Sequence, residues 1–426
     1  MKKALPDSPK TQKYRVLMTR LPEGRSASRV TSETHRRAAA FLIRIALLVG
    51  LALFSAGSFE TSYAGKTVAR AAQTAGSGRV FVVNTGSNSV SVVDDASGAV
   101  IASIPVGERP IRIVASLDGR NVYVSNFHGA SISVIDTVNL AVTATIAVEP
   151  SPQASAITMD GTRLFVVHQH QQVVSVIDLA TDTVLRVIPI GDPNGVPGNT
   201  AGDILFTPNG RYAFVPNYSQ NVVDVIDTST YAVTALPTGA QPRRVAVTPS
   251  GNRVFVANFN GDSVTAVDAR KLSVVDTVAT GGNAPRGIAV NPRGTEVYVT
   301  NVHTGSVTVL DTRTLSVLGE IRVDNKPWNV ILNADGSRAI VTNSGSDTVS
   351  IIDTATLAVV KTIPVGHGPF FAVFNGDQTK LYISNEGENQ AFDLGSVTII
   401  ETATYTVTGT VPLERQPFDL VFVNPI

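Results

Sequence analysis

PIRIVASLDGRNVYVSNFHGASISVID, residues 110–136, reads as three strands and two turns. Pro110 opens a run that ends at Ser116, and Asp118-Gly119 is a tight turn in which the glycine supplies the positive φ. Val122 to Ser125 is a second strand that stops at Asn126, and a short polar loop with His128 and Gly129 follows. Ser131 to Ile135 alternates as a half-buried strand does. Beyond Asp136-Thr137, Ala141 to Val148 makes a fourth strand. A single four-stranded sheet of this kind cannot cover both of its faces, so it needs like neighbours stacked against it.

Such neighbours are present. The slot held by Asn126 recurs as Asn84, Asn217, Asn258, Asn301, Asn343 and Asn385, with His168 in the remaining copy, at spacings of 42, 42, 49, 41, 43, 42 and 42 residues. Ten residues after each slot an acid closes the third strand: Asp94, Asp136, Asp178, Asp227, Asp268, Asp311, Asp353 and, after an insertion, Glu401. A period of this length with four strands in it predicts an all-β chain, a β-propeller of four-stranded blades over residues 79–426. Residues 79–107 lack a first strand, whereas Pro417-Phe418-Asp419-Leu420-Val421-Phe422-Val423 matches the run at 110–116 and has no partners after it. The C-terminal strand is therefore expected to complete the first blade and give eight, with seven blades and one degenerate outlying unit as the alternative. The Asn and Asp markers are expected to fix turns, since short polar side chains at strand ends bond nearby backbone.

Val, Ile and Thr abundance with 16% charged residues suits an all-β body, and the absence of cysteine excludes disulfides, Cys-ligated zinc and c-type haem attachment. The formal net charge of zero is uneven: residues 1–64 hold 11 Lys and Arg against 4 Asp and Glu, which leaves 23 basic and 30 acidic residues in 65–426. An acidic body argues against nucleic acid as a partner, because phosphate binding draws on clustered Lys and Arg. Residues 1–64 run from basic (Arg36-Arg37) to apolar (Ile45 to Gly57, 13 residues) to small (Ser62, Ala64), the order of an export signal cleaved near Ala64. The alternative is an uncleaved anchor over residues 38–57, which would be the chain's only membrane contact. Met18 offers a second start, and Arg36-Arg37 leaves a twin-arginine route open beside the general one. Residues 65–78 read as a flexible lead-in.

Tyr298-Val299-Thr300-Asn301 spells YVTN, and Val122-Tyr123-Val124-Ser125-Asn126 and Leu381-Tyr382-Ile383-Ser384-Asn385 come close. Over residues 79–426 the chain resembles the YVTN β-propeller family, which includes YncE-like periplasmic proteins and archaeal surface-layer propellers. The resemblance implies the fold and an exported location, periplasmic or at the cell surface; its motif is scaffold and names no site. Two departures stand out: His168 in an Asn slot, and eight copies where seven are usual in the family.

Loops leading into the innermost strand and loops after the second strand share one face of a propeller, and blade-specific residues gather there. The first set offers Arg109, Arg112, Arg243, Arg244, Arg286, Lys326, Trp328, His367, Phe370, Phe371, Arg415 and Phe418, opposed by Glu108, Glu149, Asp192, Asp203, Asp324, Glu414 and Asp419. The second offers His128, His170 and His303, each two residues past its slot. The ligand-binding candidates are His128, His168, His170, Arg243, Arg244, Arg286, His303, Trp328, His367 and Phe370. His168-Gln169-His170 lacks a third ligand, so no metal site and no cofactor are expected. No Ser/His/Asp order, H-E-x-x-H, P-loop or G-x-G-x-x-G is present, so no catalytic residue is assigned. Both insertions, Gly191 to Gly202 and Glu386 to Gly395, fall on the same face, where repeat proteins often bind.

The expected function is that of a monomeric, non-catalytic binding or scaffold propeller of the bacterial periplasm or cell envelope, engaging a protein or small ligand through this face. One alternative is a propeller enzyme, or an accessory of a quinone-dependent oxidation or lactonase/lyase system; another is single-stranded DNA binding through Arg243, Arg244, Arg286 and Trp328. N-terminal sequencing of the exported protein should read from Gly65 or close to it, and a membrane-bound form that retains Arg36 would rule out cleavage.

Overall fold

In the computed structural model the described residues are 59–62, 66–69, 78–191, 202–388 and 393–424. The basic and apolar regions of the expected export signal, its expected cleavage point, most of the insertion at 191–202 with Asp192, and residues 389–392 lie outside them. Phe59–Ser62 and Lys66–Ala69 pair antiparallel, on either side of the expected cleavage point. Among the described residues there is no helix.

Eight four-stranded antiparallel sheets follow, and each of seven takes its strands in chain order from the inside outward. The eighth is composite. Pro417–Val423 pairs antiparallel with Arg79–Asn84, setting Phe81 opposite Val421 and Val82 opposite Leu420. That sheet is completed by Ser89–Asp94 and Val100–Pro105. Blades are numbered from this one in chain order, so blade 2 begins at Pro110 and blade 8 at Pro369. Innermost strands touch their counterparts in adjacent blades from blade 4 through blade 8 and blade 1 to blade 3. The fold is an eight-bladed β-propeller closed by its C-terminal strand.

Burial explains why the sequence folds this way. Second and third strands are covered on both faces, as in Arg79–Asn84 and Ser131–Asp136, because each blade is sandwiched between two others. Fourth strands alternate instead, as in Ala141–Ala147, with one face in solvent. The apolar core is accordingly divided into seams. Between blades 1 and 2 it holds Phe81, Val83, Ile113, Val122 and Val421, and between blades 2 and 3 Tyr123, Ile132, Leu164 and Ile177. The aromatic of the YVTN-type strand fills the seam: Phe81, Phe165, Phe214, Phe255, Tyr298 and Tyr382 are all fully buried.

The Asn slot does a different job from the one expected of it. Its side chain strands across to the third strand rather than to backbone: Asn126 Nδ2 donates to Ser131 Oγ at 3.0 Å and Ser133 Oγ at 2.9 Å, and Asn301 Nδ2 donates to Ser306 Oγ at 3.1 Å and Thr308 Oγ1 at 2.8 Å. The loop leading into the same blade then lies directly on the amide. A Cβ on Gly239 would come within 2.7 Å of Asn258 Nδ2, which is why a glycine stands there. The closing acids behave as expected, Asp136 Oδ1 accepting from the backbone N–H of Val138 and Asn139 at 2.9 and 2.6 Å.

The seam between blades 8 and 1 carries its own polar latch. Asp95, 8% exposed, accepts from the Tyr382 hydroxyl and from Asn375 Nδ2, and lies 3.3 Å from Lys380 Nζ. Ser384 Oγ donates to the Phe418 carbonyl at 2.6 Å. Leu420, Val421 and Val423 on the closing strand are buried. Deleting residues 417–426 removes these contacts and opens a blade flank on each side, so the truncated chain should lose at least ~5 kcal/mol in denaturant unfolding. Melting within a degree or two of the full chain would show that the ring closes some other way.

Candidate functional site

Seven of the eight innermost strands start at a proline, that of blade 4 being Leu205–Phe206, and the residue before each proline is left-handed: Arg109, Ser151, Gln241, Ala284, Lys326, Gly368 and Gln416 all have φ between 50° and 64°. This conformation is uncommon for side chains other than glycine and must be held from outside. The preceding blade supplies the hold. Asn88 Oδ1 accepts from Arg109 N–H, Asn221 Oδ1 from Gln241 N–H and Asp262 Oδ1 from Ala284 N–H, each at 2.8 Å. A register shift follows each proline, between Pro110 and Arg112, Pro242 and Arg244, and Pro327 and Asn329 among others. These bulges set two concentric rings around the channel. The residue right after the proline is mostly half-buried at the mouth: Ile111, Gln153, Arg243, Arg286, Trp328 and Phe418, with Phe370 more covered at 8% exposure. The next residue is buried at Arg112, Arg244, Asn329, Phe371 and Asp419, and Asp203, ahead of the proline-free inner strand of blade 4, is buried as well.

The mouth has two unlike arcs. From blade 7 to blade 1 it is aromatic: Trp328 meets Phe370 edge-on with centroids 4.7 Å apart, and Phe418 lies 5.2 Å from both Phe370 and Phe371. Across blades 5 and 6 it is cationic. The Arg243 guanidinium stands 4.5 Å from the Phe259 ring and 4.8 Å from Tyr218, and that of Arg286 3.3 Å from the Trp328 ring. Deeper down, Arg112 lies 4.0 Å from Asp419 and 4.9 Å from the Phe371 ring. Asp419 also accepts from Ile113 N–H at 3.2 Å and Asp203 from Val245 N–H at 3.0 Å, so each carboxylate ties its blade to the next. Burial pushes the Arg244 guanidinium down to about 10 against the pull of Asp419. Arg286 is pushed well below its ordinary value by burial and by the repulsion of Arg244, Arg243 and Arg112.

A cleft of about 250 Å³ opens on the same face over blades 1 to 3, lined by Ile111, Gln153 and Phe418 together with Thr85, Arg109, Phe127, Gln169, Glu386 and Gln416. His128 and His170 are exposed beside it and converge on Phe127, with ring centroids 5.4 and 5.9 Å from it. His303 is on another sector, 5.9 Å from Phe259 and bonded to Asn283 Oδ1 at 2.9 Å. His367 is exposed and pairs with Asp347 at 2.7 Å.

Family comparison agrees with this geometry. A YNCE-like beta-propeller model matches residues 48–202, and a model described as lactonase, 7-bladed beta-propeller matches residues 184–271. Over residues 48–202 the chain resembles a YncE-like β-propeller. It carries eight blades where the second description has seven. Among solved structures the chain is similar to the dihydro-heme d1 dehydrogenase NirN in complex with DHE, at 17% identity and a TM-score of 0.68 over 80% of this chain and 74% of that one. It is also similar to the hydrazine synthase of Kuenenia stuttgartiensis (23% identity, TM-score 0.54, 69% of this chain and 96% of that one). A functionally unknown protein from Desulfotomaculum acetoxidans matches at 19% identity and a TM-score of 0.56, over 82% and 99% of the two chains. At these identities the likeness is one of fold. No curated protein sequence matches the chain.

Of the candidates read from sequence, Arg243, Arg244, Arg286, Trp328 and Phe370 come together in the channel mouth, His128 and His170 stand by the adjoining cleft, and His303 and His367 are separate. His168 is corrected: it is fully buried and takes the strap role of Asn. Its Nδ1 lies 3.1 Å from the Pro150 carbonyl and must donate to it, so Nε2, 2.8 Å away, accepts from the Ser175 hydroxyl. Asn329 was missed because asparagine is a scaffold marker elsewhere in the chain. Its column, two after the proline and shared with Arg112, Arg244 and Asp419, was the available signal.

Burial lowers the His168 imidazole from 6.5 to about 4, outweighing its backbone bonds. The unfolded chain takes up a proton below pH 6.5 that the folded chain refuses until about 4, so this residue costs up to ~3 kcal/mol as pH falls through that window and nothing above it. His168→Asn should stay within ~1 kcal/mol of wild type at pH 7.5 and flatten the loss of stability between pH 6.5 and 4. A variant as acid-sensitive as wild type would show that His168 is not the group responsible.

Proposed function

We propose that this chain is an exported, non-catalytic binding propeller of the bacterial periplasm or cell envelope that takes a small ligand or a protein segment into the channel mouth. The observation that carries the reading is the pair of rings. Scaffold positions repeat from blade to blade, whereas the pair of residues after the inner-strand proline differs among the seven blades that have one and gathers at one opening. Strained, cross-braced backbone ahead of each proline fixes that opening before anything binds, which lowers the ordering cost of association. Export rests on the order of charge and hydropathy in residues 1–64.

An enzymatic reading is favoured by one observation, the lactonase description over residues 184–271, which include Arg243 and Arg244. Acid release from a panel of lactones, abolished in Arg243→Ala, would replace the binding reading with this one.

The main test uses protein isolated from the periplasm of its native host. Material released on denaturation, or a partner retained on an affinity column, should be lost with Trp328→Ala and Phe418→Ala while the melting temperature shifts by only a few degrees. Bottom-face changes at Asp118 and Asp335 should leave it in place. Retention by both mouth variants and loss with the bottom-face variants would put the working surface on the other side.

A further inference from the structure

We infer that the channel mouth is a seat for a small, flat dicarboxylate, its anionic end held by Arg286, Trp328 and Asn329 and its apolar body against Phe370 and Phe418. This rests on the mouth being the binding surface and specifies what it binds. The argument starts from unsatisfied donors. Arg286 Nε, Trp328 Nε1 and Asn329 Nδ2 are buried without a hydrogen-bond partner among the described residues, and Asn329 is 4% exposed. All three are donors, and buried donors are costly to leave unpaired. A ligand that answers them must bring acceptor oxygens.

Charge sets the valence. Arg112, Arg243, Arg244 and Arg286 face Asp203 and Asp419 in the two rings, which leaves two positive charges over. Arg286 has no ion pair among the described residues; its contact is the Trp328 ring, and its neighbouring cations raise the cost of its charge. A dianion relieves that repulsion, and a guanidinium presents the planar fork that a carboxylate matches. Shape comes from the same residues. Blade 6 has Gly287 in the deeper ring, where a Cβ would fall 2.9 Å from Thr300 Oγ1 and from the Trp328 carbonyl, so the inner strands of blades 6 and 7 pack closely there and fix the position of Trp328 and Asn329. The edge-to-face rings of Trp328, Phe370 and Phe418 form the neighbouring wall, a surface for a flat body. A single-stranded nucleic acid needs a continuous basic track with stacking platforms along it; here the cations are recessed in one channel of an acidic body, which favours a compact ligand.

Trp328 is the sole tryptophan, so its fluorescence reports on this site alone. Benzene-1,3-dicarboxylate should change it saturably and bind at least tenfold more tightly than inorganic phosphate, with the neutral benzene-1,3-dicarboxamide silent. Arg286→Leu should weaken the dicarboxylate at least tenfold, Arg286→Lys should recover part of that, and Asn329→Asp should weaken it through repulsion. The unliganded Arg286→Leu protein should melt no lower than wild type, since a repelled cation has been removed, and this separates lost binding from lost folding. Phosphate binding as tightly as the dicarboxylate would remove the flat body from the inference. Oligo(dT) binding that depends on Arg286 would overturn the small ligand. Silence of every anion, with a host-derived ligand or partner still lost in Trp328→Ala, would refute the dicarboxylate seat and leave the binding surface standing.

Discussion

Second and third strands that are apolar on both faces have nowhere to go except between two other sheets, and this demand for cover organises the molecule. Val80, Val82, Val122 and Val124 are fully buried although they belong to strands near the middle of their own sheets. What covers them is the adjacent blade. No blade is therefore stable as a unit, and the ring must close to leave no flank bare. Backbone pairing and the Asn-to-hydroxyl straps give each blade its shape, but the seams give the molecule its stability. Because the seams consume the aromatic of each YVTN-type strand, the aromatics left for recognition are those on the inner strands and loops.

This division of labour explains what was legible from sequence and what was not. Period, strand count and the composite blade could be read because they depend on alternation and turn residues, which local sequence carries. The face that carries the channel mouth could be read because its loops interrupt the period. Depth could not. Arg243 and Arg244 are adjacent in sequence, yet one stands half-exposed at the rim and the other is 6% exposed in the channel, and only the bulge after Pro242 distinguishes them. His168 and His170 look like a pair from their spacing, but the strand ends at His168, which is buried in a strap, and His170 lies in the turn beyond it, on the surface. Partners contributed by a neighbouring blade, such as Asp203 for the Val245 amide, leave no trace in a local window.

The body and its channel carry opposite electrostatic character. An excess of acidic residues over the outer surface keeps the protein from general attraction to polyanions, while the recessed arginines hold a positive potential in one place. Concentrating the cations in a low-dielectric recess makes each of them count for more than a surface lysine would. For the anion proposed above it makes selectivity a matter of shape, since such a ligand would have to fit the opening before it meets the charge.

The composite blade also imposes a timetable. Strands made at Arg79–Pro105 wait for a partner about 310 residues further on. At the ribosomal rate of roughly 5–20 residues per second, that interval is on the order of 15–60 s. Throughout it the first sheet offers an open edge and an uncovered flank, the state most exposed to aggregation or to capture by a chaperone. The same delay keeps the chain from locking into a ring while it is still being made.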